Sequence, residues 1–311
     1  MACVTDLMPF KNILHLSDFS SSSDNGLRYA IAVARAHRAK LFVLHVVIPD
    51  ALTYMSAEPP TVALDLQEKW ARDQMKKLEA RLRDVNYQTL VLRDDSVWPS
   101  VAAKLVELRI DLLVLGTHGR TGLGKLFLGS VAEVVLRQSP VPVMSIGTDV
   151  PSEVEGRFHR VLLATNLRMA SIEPARYAAA LARRDRGDLL LLHTCKTKSR
   201  SKPIQSSELT VAEVLHQLHD LAINVGNGDT EKRSQSIVEF GDSKTKILEV
   251  AKRAAADLIV MGLGEARSLL VATHLEMGTA HAVVANAACP VLTVPEYSMG
   301  RRTCEHSAKI N

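Results

Sequence analysis

Residues 11–46 read KNILHLSDFSSSSDNGLRYAIAVARAHRAKLFVLHV, an apolar strand, a Ser-containing turn, an amphipathic helix and a second apolar strand. Residues 159–194 read HRVLLATNLRMASIEPARYAAALARRDRGDLLLLHT and follow the same order. Asp18 corresponds to Asn166 and His45 to His193, each 148 positions later (166 − 18 and 193 − 45). Self-similarity over such a span predicts two copies of one domain.

The similarity extends to later segments of both copies. DLLVLGTHG at 111–119 matches DLIVMGLGE at 257–265, and LGSVAEVVLRQSPVPVMSI at 128–146 matches MGTAHAVVANAACPVLTVP at 277–295. Pro151, acidic residues and Gly156 separate the copies, a composition typical of a linker. We therefore predict a first repeat over residues 1–148, a linker over 149–158, a second repeat over 159–297 and a flexible tail over 298–311.

Within each copy, short apolar runs alternate with stretches of helical periodicity. In the first copy the predicted strands are 13–16, 41–47, 89–92, 112–115 and 142–146, and the predicted helices are about 24–37, 62–85, 98–108 and 130–138. This alternation predicts an α/β fold with two tandem, doubly wound, Rossmann-like parallel sheets related by pseudo-two-fold symmetry. Ligands of such sheets bind at the carboxyl ends of strands where the strand order reverses. That rule selects the turn at Ser17 and Asp18 and the turn that begins at Gly116.

Composition excludes several classes of function. With 311 residues, 47% of them hydrophobic and 23% charged, the chain is of the ordinary globular type. The net charge of +4 is spread along the sequence and only 4% of residues are aromatic, so we expect no nucleic-acid binding. No apolar run approaches the roughly 20 residues that span a bilayer. The amino terminus lacks the order of a secretory signal, and the four cysteines form no CxxC pair, so we expect a cytoplasmic, reducing location.

One loop of the first copy has the composition of an anion site. Four further glycines follow Gly116 within thirteen positions, between a strand and a helix. Glycine lets main-chain amides approach a ligand closely, and a helix amino terminus adds unpaired N–H groups. Ser130 could cap that helix or bind a phosphate oxygen, and Arg120 and Lys125 could add charge-assisted bonds. The alternative is a flexible loop whose glycines, Gly122 among them, only ease a turn.

The loop is not a Walker A motif. The stretch from Gly119 to Lys125 fits most of that pattern, but Leu126 stands where Ser or Thr must hold magnesium. A P-loop also follows the first strand of its domain, and this loop follows the fourth. We therefore reject a P-loop NTPase.

These residues resemble the universal stress protein family, in particular its tandem-domain members. Nucleotide-binding members of that family carry the pattern Gly-x2-Gly-x9-Gly-(Ser/Thr). The pattern is matched position for position by Gly116, Gly119, Gly129 and Ser130. The resemblance also covers the turn at 18–20, the strand end at 44–46 and the final Pro-Val-Pro-Val strand, and it extends over both copies.

The resemblance implies a domain of the adenine nucleotide alpha hydrolase type that binds ATP, with the triphosphate on the glycine loop. It implies that Asp18 meets the adenosine end of the nucleotide and that Val46 contacts the base. Leu16 and Ser17 stand where Pro-Thr is common in the family, a departure that could alter the contact with the adenosine end. The motif does not distinguish ATP from ADP or AMP, and a magnesium ion with the nucleotide is compatible with it.

The second copy departs from the pattern. Asn166 replaces the acid, Thr194 stands at the valine position, and Glu265 stands where the second glycine belongs. A carboxylate there would repel phosphates by about 1–4 kcal/mol at 4 Å. Gly278 and Thr279 are expected at a helix start, where they could serve packing alone. We interpret the second copy as a degenerate site with a structural or regulatory role.

Histidines and acids invite catalytic and metal hypotheses that the spacing does not support. His216 and His219 are expected to be surface residues of an amphipathic helix, and His118 to shape the loop or face solvent. His45 and His193 recur in both copies, which favours a role in the fold such as closing a turn by a hydrogen bond. We expect Asp94 and Asp95 to lie in a solvated loop. The sequence shows no GxSxG elbow or paired acid/base signature, so no catalytic residue and no metal ligand is predicted.

Two hypotheses of different class follow, and a third possibility is a structural interaction module in which neither site is filled. The first is a nucleotide-dependent stress-response protein that regulates an unknown protein partner, with a homodimer or an internal pairing of the two copies. The pairing is expected because the final strands would otherwise leave unpaired sheet edges, which a second copy would cover. The alternative is weak ATP hydrolysis or phosphoryl transfer at the same loop, supported only by Arg120, Lys125 and His118.

Overall fold

A computed structural model describes residues 10–49, 59–118, 128–195, 210–226, 228–263 and 274–295. Their contacts divide the described chain into two compact units, residues 10–157 with 281–292 and residues 158–280 with 293–295. The predicted tail at 298–311 lies outside the described residues.

The first unit alternates strands and helices along the chain. Its elements are β1 (Asn12–Leu16), α1 (Ser21–His37), β2 (Lys40–Val47), α2 (Pro60–Leu82), β3 (Asn86–Arg93), α3 (Val97–Glu107), β4 (Leu112–Gly116), α4 (Ser130–Gln138) and β5 (Val143–Ile146). The strands pair in parallel in the order β3-β2-β1-β4-β5. The α/β fold and the strand positions predicted for this copy are confirmed.

The middle strands are buried on both faces, as a parallel sheet between helices requires. Ile13, Leu14, Leu112 and Leu113 are completely buried in β1 and β4. These two strands lie side by side, with His15 opposite Val114, and the strand order reverses at this pair. The carboxyl ends of β1 and β4 therefore form the crevice where doubly wound sheets bind ligands.

The second half of the chain repeats this order. Its elements are β6 (Arg160–Ala164), a 3-10 turn (Met169–Ser171), α5 (Ile172–Asp185), β7 (Asp188–Cys195), α6 (Val211–Val225), α7 (Asp229–Lys232), β8 (Ser234–Phe240), α8 (Ser243–Arg253), β9 (Leu258–Leu263), α9 (His274–Asn286) and β10 (Val291–Pro295). Strands β9-β6-β7-β8 are parallel neighbours in this order. The last turns of α9 and the first residues of β10 belong to the first unit.

Strained backbone recurs at equivalent turns of the two copies. The left-handed non-glycine residues pair at offsets of 146 or 148 positions, and they are Phe19 with Leu167, Arg38 with Arg186 and Arg109 with Ala255. Such conformations are uncommon for residues with a side chain and persist only where the surroundings enforce them. Their recurrence is evidence for the duplication that is independent of residue identity.

The segment that joins the two copies packs on α1. Asn25 donates from Nδ2 to the carbonyl of Val150, and the Tyr29 hydroxyl donates to the carbonyl of Pro151. Gly156 has φ +71° and lies against the main chain of Ala32, where a Cβ would overlap it. This part of the chain is therefore held by specific contacts within the first unit.

Candidate functional site

The turn after β1 is shaped by its own polar side chains. Asp18 Oδ1 accepts a hydrogen bond of 2.9 Å from the Ser20 amide, which closes an Asx turn and places Phe19 at φ +62°. The hydroxyl of Ser20 in turn accepts from the Ser23 amide and caps α1. The short polar residues after β1 therefore fix the direction in which α1 begins.

His45 ties the ends of β1 and β2 together. Its Nδ1 donates to the carbonyl of Ser17 over 2.7 Å, and its ring lies 4.6 Å from the ring of Phe19, centroid to centroid. His193 Nδ1 donates in the same way to the carbonyl of Thr165 over 2.9 Å in the second unit. The prediction that these histidines close a turn by a hydrogen bond is confirmed.

Ser17 and Val46 lie inside this part of the fold. The Ser17 amide donates to the carbonyl of Leu44, and the residue is 8% exposed. Val46 is 9% exposed and pairs with Leu92 of β3. Asp18 is half-buried at the carboxyl end of β1, so it is the more accessible of these three candidate residues.

The turn after β4 is packed directly on α1. A Cβ on Gly116 would lie 2.5 Å from the carbonyl oxygen of Ser22, closer than real Cβ atoms come. A Cβ on Gly26 would lie 3.0 Å from the Gly116 amide. Close helix–strand packing is therefore sufficient to require glycine at 116.

The glycine loop is closed at its base by main-chain hydrogen bonds. The Thr117 amide donates to the carbonyl of Ile146, and the Gly129 amide donates to the carbonyl of Thr117 over 2.9 Å. The His118 amide donates to Ser22 Oγ over 3.2 Å. The end of β4, the first turn of α1 and the start of α4 therefore meet at one point.

Helix α4 begins at Ser130, and its N-cap is Gly129 with φ −60° and ψ 147°. The expectation that Ser130 caps this helix is wrong, because Ser130 is the first helical residue and is exposed. Gly129 has no side chain that could accept from the first amides. The amino terminus of α4 thus presents main-chain N–H groups at the glycine loop.

Several predicted residues cannot be placed. Gly119, Arg120, Gly122 and Lys125 lie outside the described residues, as does Glu265 of the second copy. Three of the predicted phosphate-binding residues in this loop are described, and they are Gly116, Gly129 and Ser130. The hydrogen bond at the base of the loop brings Gly129 to Thr117.

The second unit keeps the turn after its first strand but changes the later part of the site. Asn166 Oδ1 accepts from the Arg168 amide over 3.0 Å, as Asp18 does from Ser20, so the Asx turn survives without the charge. The prediction that Gly278 stands at a helix start is wrong, since α9 begins four residues earlier at His274. The Gly278 amide is therefore within the helix, where the regular i to i−4 bonding pattern uses it.

His15 is a buried residue that sequence reasoning missed. It lies on β1, with Nδ1 3.1 Å from the carbonyl of Val114 and Nε2 3.5 Å from Ser23 Oγ. Burial away from water lowers the pKa of His15 from 6.5 to about 4, against the opposing effect of its bond to Val114. The histidine is thus neutral near pH 7, and Leu163 stands at its position in the second copy.

Other predictions can be tested on the described residues. His216 and His219 are exposed as predicted, and His216 lies 3.5 Å from Asp220. Asp94 accepts from the Ser100 hydroxyl over 2.6 Å, a local contact at the start of α3. Within the described ranges, no group of three or more His, Cys, Asp and Glu side chains could hold a metal ion, and no helix is long and apolar enough to cross a bilayer.

Comparison with known sequences identifies the repeated domain. A sequence model of the universal stress protein family matches residues 9–146 and again residues 157–295. A universal stress protein of Mycolicibacterium smegmatis is 27% identical over 180 residues, which are 57% of this chain and 61% of that protein. One from Thermus aquaticus is 30% identical over 140 residues, which are 44% of this chain and 98% of that protein.

Solved structures share the fold over nearly the whole chain. A universal stress protein from Archaeoglobus fulgidus has a TM-score of 0.68 at 19% identity, with 92% of this chain and 98% of that chain covered. A Pseudomonas aeruginosa protein of unknown function has a TM-score of 0.58 at 14% identity, with 93% and 94% covered. These likenesses show the α/β fold of both copies.

Proposed function

The chain belongs to the universal stress protein family, as a tandem-domain member, and we propose that its first unit binds ATP while the second unit binds no comparable nucleotide. One observation carries this proposal. The amide of Ser130 stands at the start of α4, whereas that of its counterpart Thr279 lies inside α9.

The start of α4 suits a polyphosphate. The first amides of a helix have no partner within the helix, and the helix dipole places about half a positive charge there. The bond from the Gly129 amide to the Thr117 carbonyl holds this end of the helix against the end of β4. The predicted contributions of Gly119, Arg120, Gly122 and Lys125 would add to this cradle.

Asp18 supplies the proposed acceptor for the adenosine end. Its half-buried carboxylate stands at the end of β1, beside β4 in the sheet. A carboxylate accepts hydrogen bonds from ribose hydroxyls, and Asn166 lacks its charge in the second copy. Loss of the charge is expected to weaken nucleotide binding through this contact.

The test measures what the purified full chain binds. Mass spectrometry of the denatured protein identifies any co-purified nucleotide, and isothermal titration with ATP, ADP and AMP compares the candidates. Gly129→Val should abolish ATP binding, because its backbone angles accept valine while the side chain would occupy the phosphate position. Gly278→Val is the matched control, since nothing lies within 4 Å of a Cβ there. Equal ATP affinity in both variants would contradict the proposal.

Asp18→Asn tests the adenosine end without breaking the turn. Asn166 closes the equivalent turn through Oδ1, so the variant is expected to fold normally. We expect about 10-fold weaker ATP binding, the size of a lost charge-assisted hydrogen bond. Isothermal titration against wild type gives the ratio, and an unchanged affinity would remove Asp18 from the site.

Three further features belong to the same proposal. Nucleotide occupancy would stabilise the ordered loop by RT ln(1 + [L]/Kd) and so regulate binding to a protein partner of unknown identity. The protein would act in the cytoplasm, as a homodimer or through pairing of its two copies. Analytical ultracentrifugation with and without ATP measures the mass of the assembly. An equal mass in both conditions would show that nucleotide binding does not control assembly.

A further inference from the structure

His118 begins the glycine loop and is held there from two sides. Its amide donates to Ser22 Oγ over 3.2 Å, which fixes its main chain to the first turn of α1. The preceding residue, Thr117, accepts from the Gly129 amide and so adjoins the amino terminus of α4. His118 therefore directly follows the residue whose carbonyl accepts from Gly129, at the base of the proposed phosphate site.

The ring of His118 has one satisfied nitrogen and one unsatisfied nitrogen. Nδ1 lies 2.9 Å from the hydroxyl oxygen of Thr117, which is itself fully buried. Nε2 is buried and has no hydrogen-bond partner among the described residues. A buried polar group in that state is costly. Of the two predicted roles, shaping the loop or facing solvent, the second does not hold for Nε2, because this atom is buried.

The hydrogen bond between the Thr117 hydroxyl and His118 Nδ1 can run in either direction, and its direction sets the tautomer of the ring. When the Thr117 hydroxyl donates to Nδ1, the neutral ring keeps its hydrogen on Nε2. In that tautomer Nε2 is a buried N–H donor without a partner among the described residues, one residue after the Thr117 carbonyl that holds the amino terminus of α4. A phosphate oxygen is the acceptor that fits this donor.

The second copy lacks the whole arrangement. At the matching positions, Ser22 is replaced by Ala170, Thr117 by Leu263 and His118 by Gly264. The second copy therefore lacks the hydroxyl that accepts from the His118 amide, the hydroxyl that bonds to Nδ1, and the imidazole ring. The second copy has no counterpart of this contact.

We propose that His118 donates a hydrogen bond from Nε2 to a phosphate oxygen of the bound nucleotide, with Thr117 and Ser22 as its positioning residues. The inference rests on the proposed nucleotide site and deepens it. It makes His118 a residue that selects a nucleotide over a nucleoside, because adenosine has no phosphate to accept the bond.

The experiment compares ATP and adenosine binding to the full chain by isothermal titration. His118→Ala should weaken ATP binding about 10- to 100-fold and leave adenosine binding unchanged. His118→Gln should restore much of the loss, since the glutamine amide nitrogen can occupy the position of Nε2. Thr117→Val should weaken ATP binding less than His118→Ala. The ring is still present in that variant, but the Thr117 hydroxyl no longer fixes which nitrogen carries the proton. Tryptophan fluorescence melts check that each variant is folded.

The outcomes separate this inference from the function on which it rests. Wild-type protein that binds no adenine nucleotide overturns both. ATP binding by wild type that His118→Ala leaves unchanged, or a loss that is equal for ATP and adenosine, overturns only the role of His118. A loss for ATP that His118→Gln fails to restore assigns the effect to packing and also overturns the proposed hydrogen bond.

Discussion

His15 should make the first unit sensitive to mild acid. In the unfolded chain a histidine takes up a proton near pH 6.5, but burial lowers the pKa of His15 to about 4 in the folded protein. Between these values the unfolded state binds a proton that the folded state does not, so the free energy of unfolding falls as the pH falls. At about 1.4 kcal/mol per pKa unit, the loss is about 2 kcal/mol at pH 5 and about 3 kcal/mol near pH 4.

Urea unfolding followed by tryptophan fluorescence measures this effect in the right part of the molecule. The two tryptophans, Trp70 and Trp98, both lie in the first unit with His15. His15→Leu copies the residue at position 163 of the second copy and removes the titrating group. Its absolute stability should be lower, since two buried hydrogen bonds are lost, but its stability should fall by about 2 kcal/mol less than that of wild type between pH 7.5 and pH 5.

The comparison between variants removes the contribution of other acids. Burial raises the pKa of Asp111, which would act in the opposite direction with pH, but it does so equally in wild type and in His15→Leu. Identical pH profiles for wild type and His15→Leu would refute the reasoning.

The remaining predictions concern glycines with opposite surroundings. Gly116→Ala should destabilise the first unit by about 3 kcal/mol in urea, because its Cβ would meet the Ser22 carbonyl at 2.5 Å; a variant as stable as wild type would disprove the close packing. Gly278→Ala should stabilise α9 by about 0.5–1 kcal/mol, since the site is open and helical, and a lower melting temperature by circular dichroism would contradict the helix start at His274. Gly156→Ala should lower the melting temperature of the first unit through its φ of +71° and its overlap with Ala32, which fluorescence melts would detect.

The α/β architecture could be predicted because it depends on local patterns. The buried strand β4 is a continuous apolar run, β1 and β2 are apolar over 13–16 and 41–47 except for one histidine each, and α1 has apolar residues at helical spacing. Comparison of the two copies added information that one copy would lack. The recurrence of His45 and His193 pointed to a turn-closing hydrogen bond, and that bond is present in both units.

The site required tertiary structure wherever distant segments meet. Gly116 and Ser22 are 94 positions apart (116 − 22), so the sequence could not show that their close contact leaves no room for a Cβ at 116. The starts of α4 and α9 differ because a helix boundary depends on which amides find partners, and Gly278 looks like Gly129 when only residue types are compared.

The chain's own amino-acid pattern determined the duplicated α/β domains, their strands and the turn chemistry of Asp18 and Asn166, because each depends on neighbours within a few residues. Tertiary packing decided the surroundings of the side chains that lie between those elements. It withdrew His15 from water and so lowered its pKa, it left Nε2 of His118 buried without a partner among the described residues, and it placed residues 281–292 in the first unit. These properties depend on the dielectric surroundings and on close contacts between segments distant in sequence, and local periodicity carries no information about either.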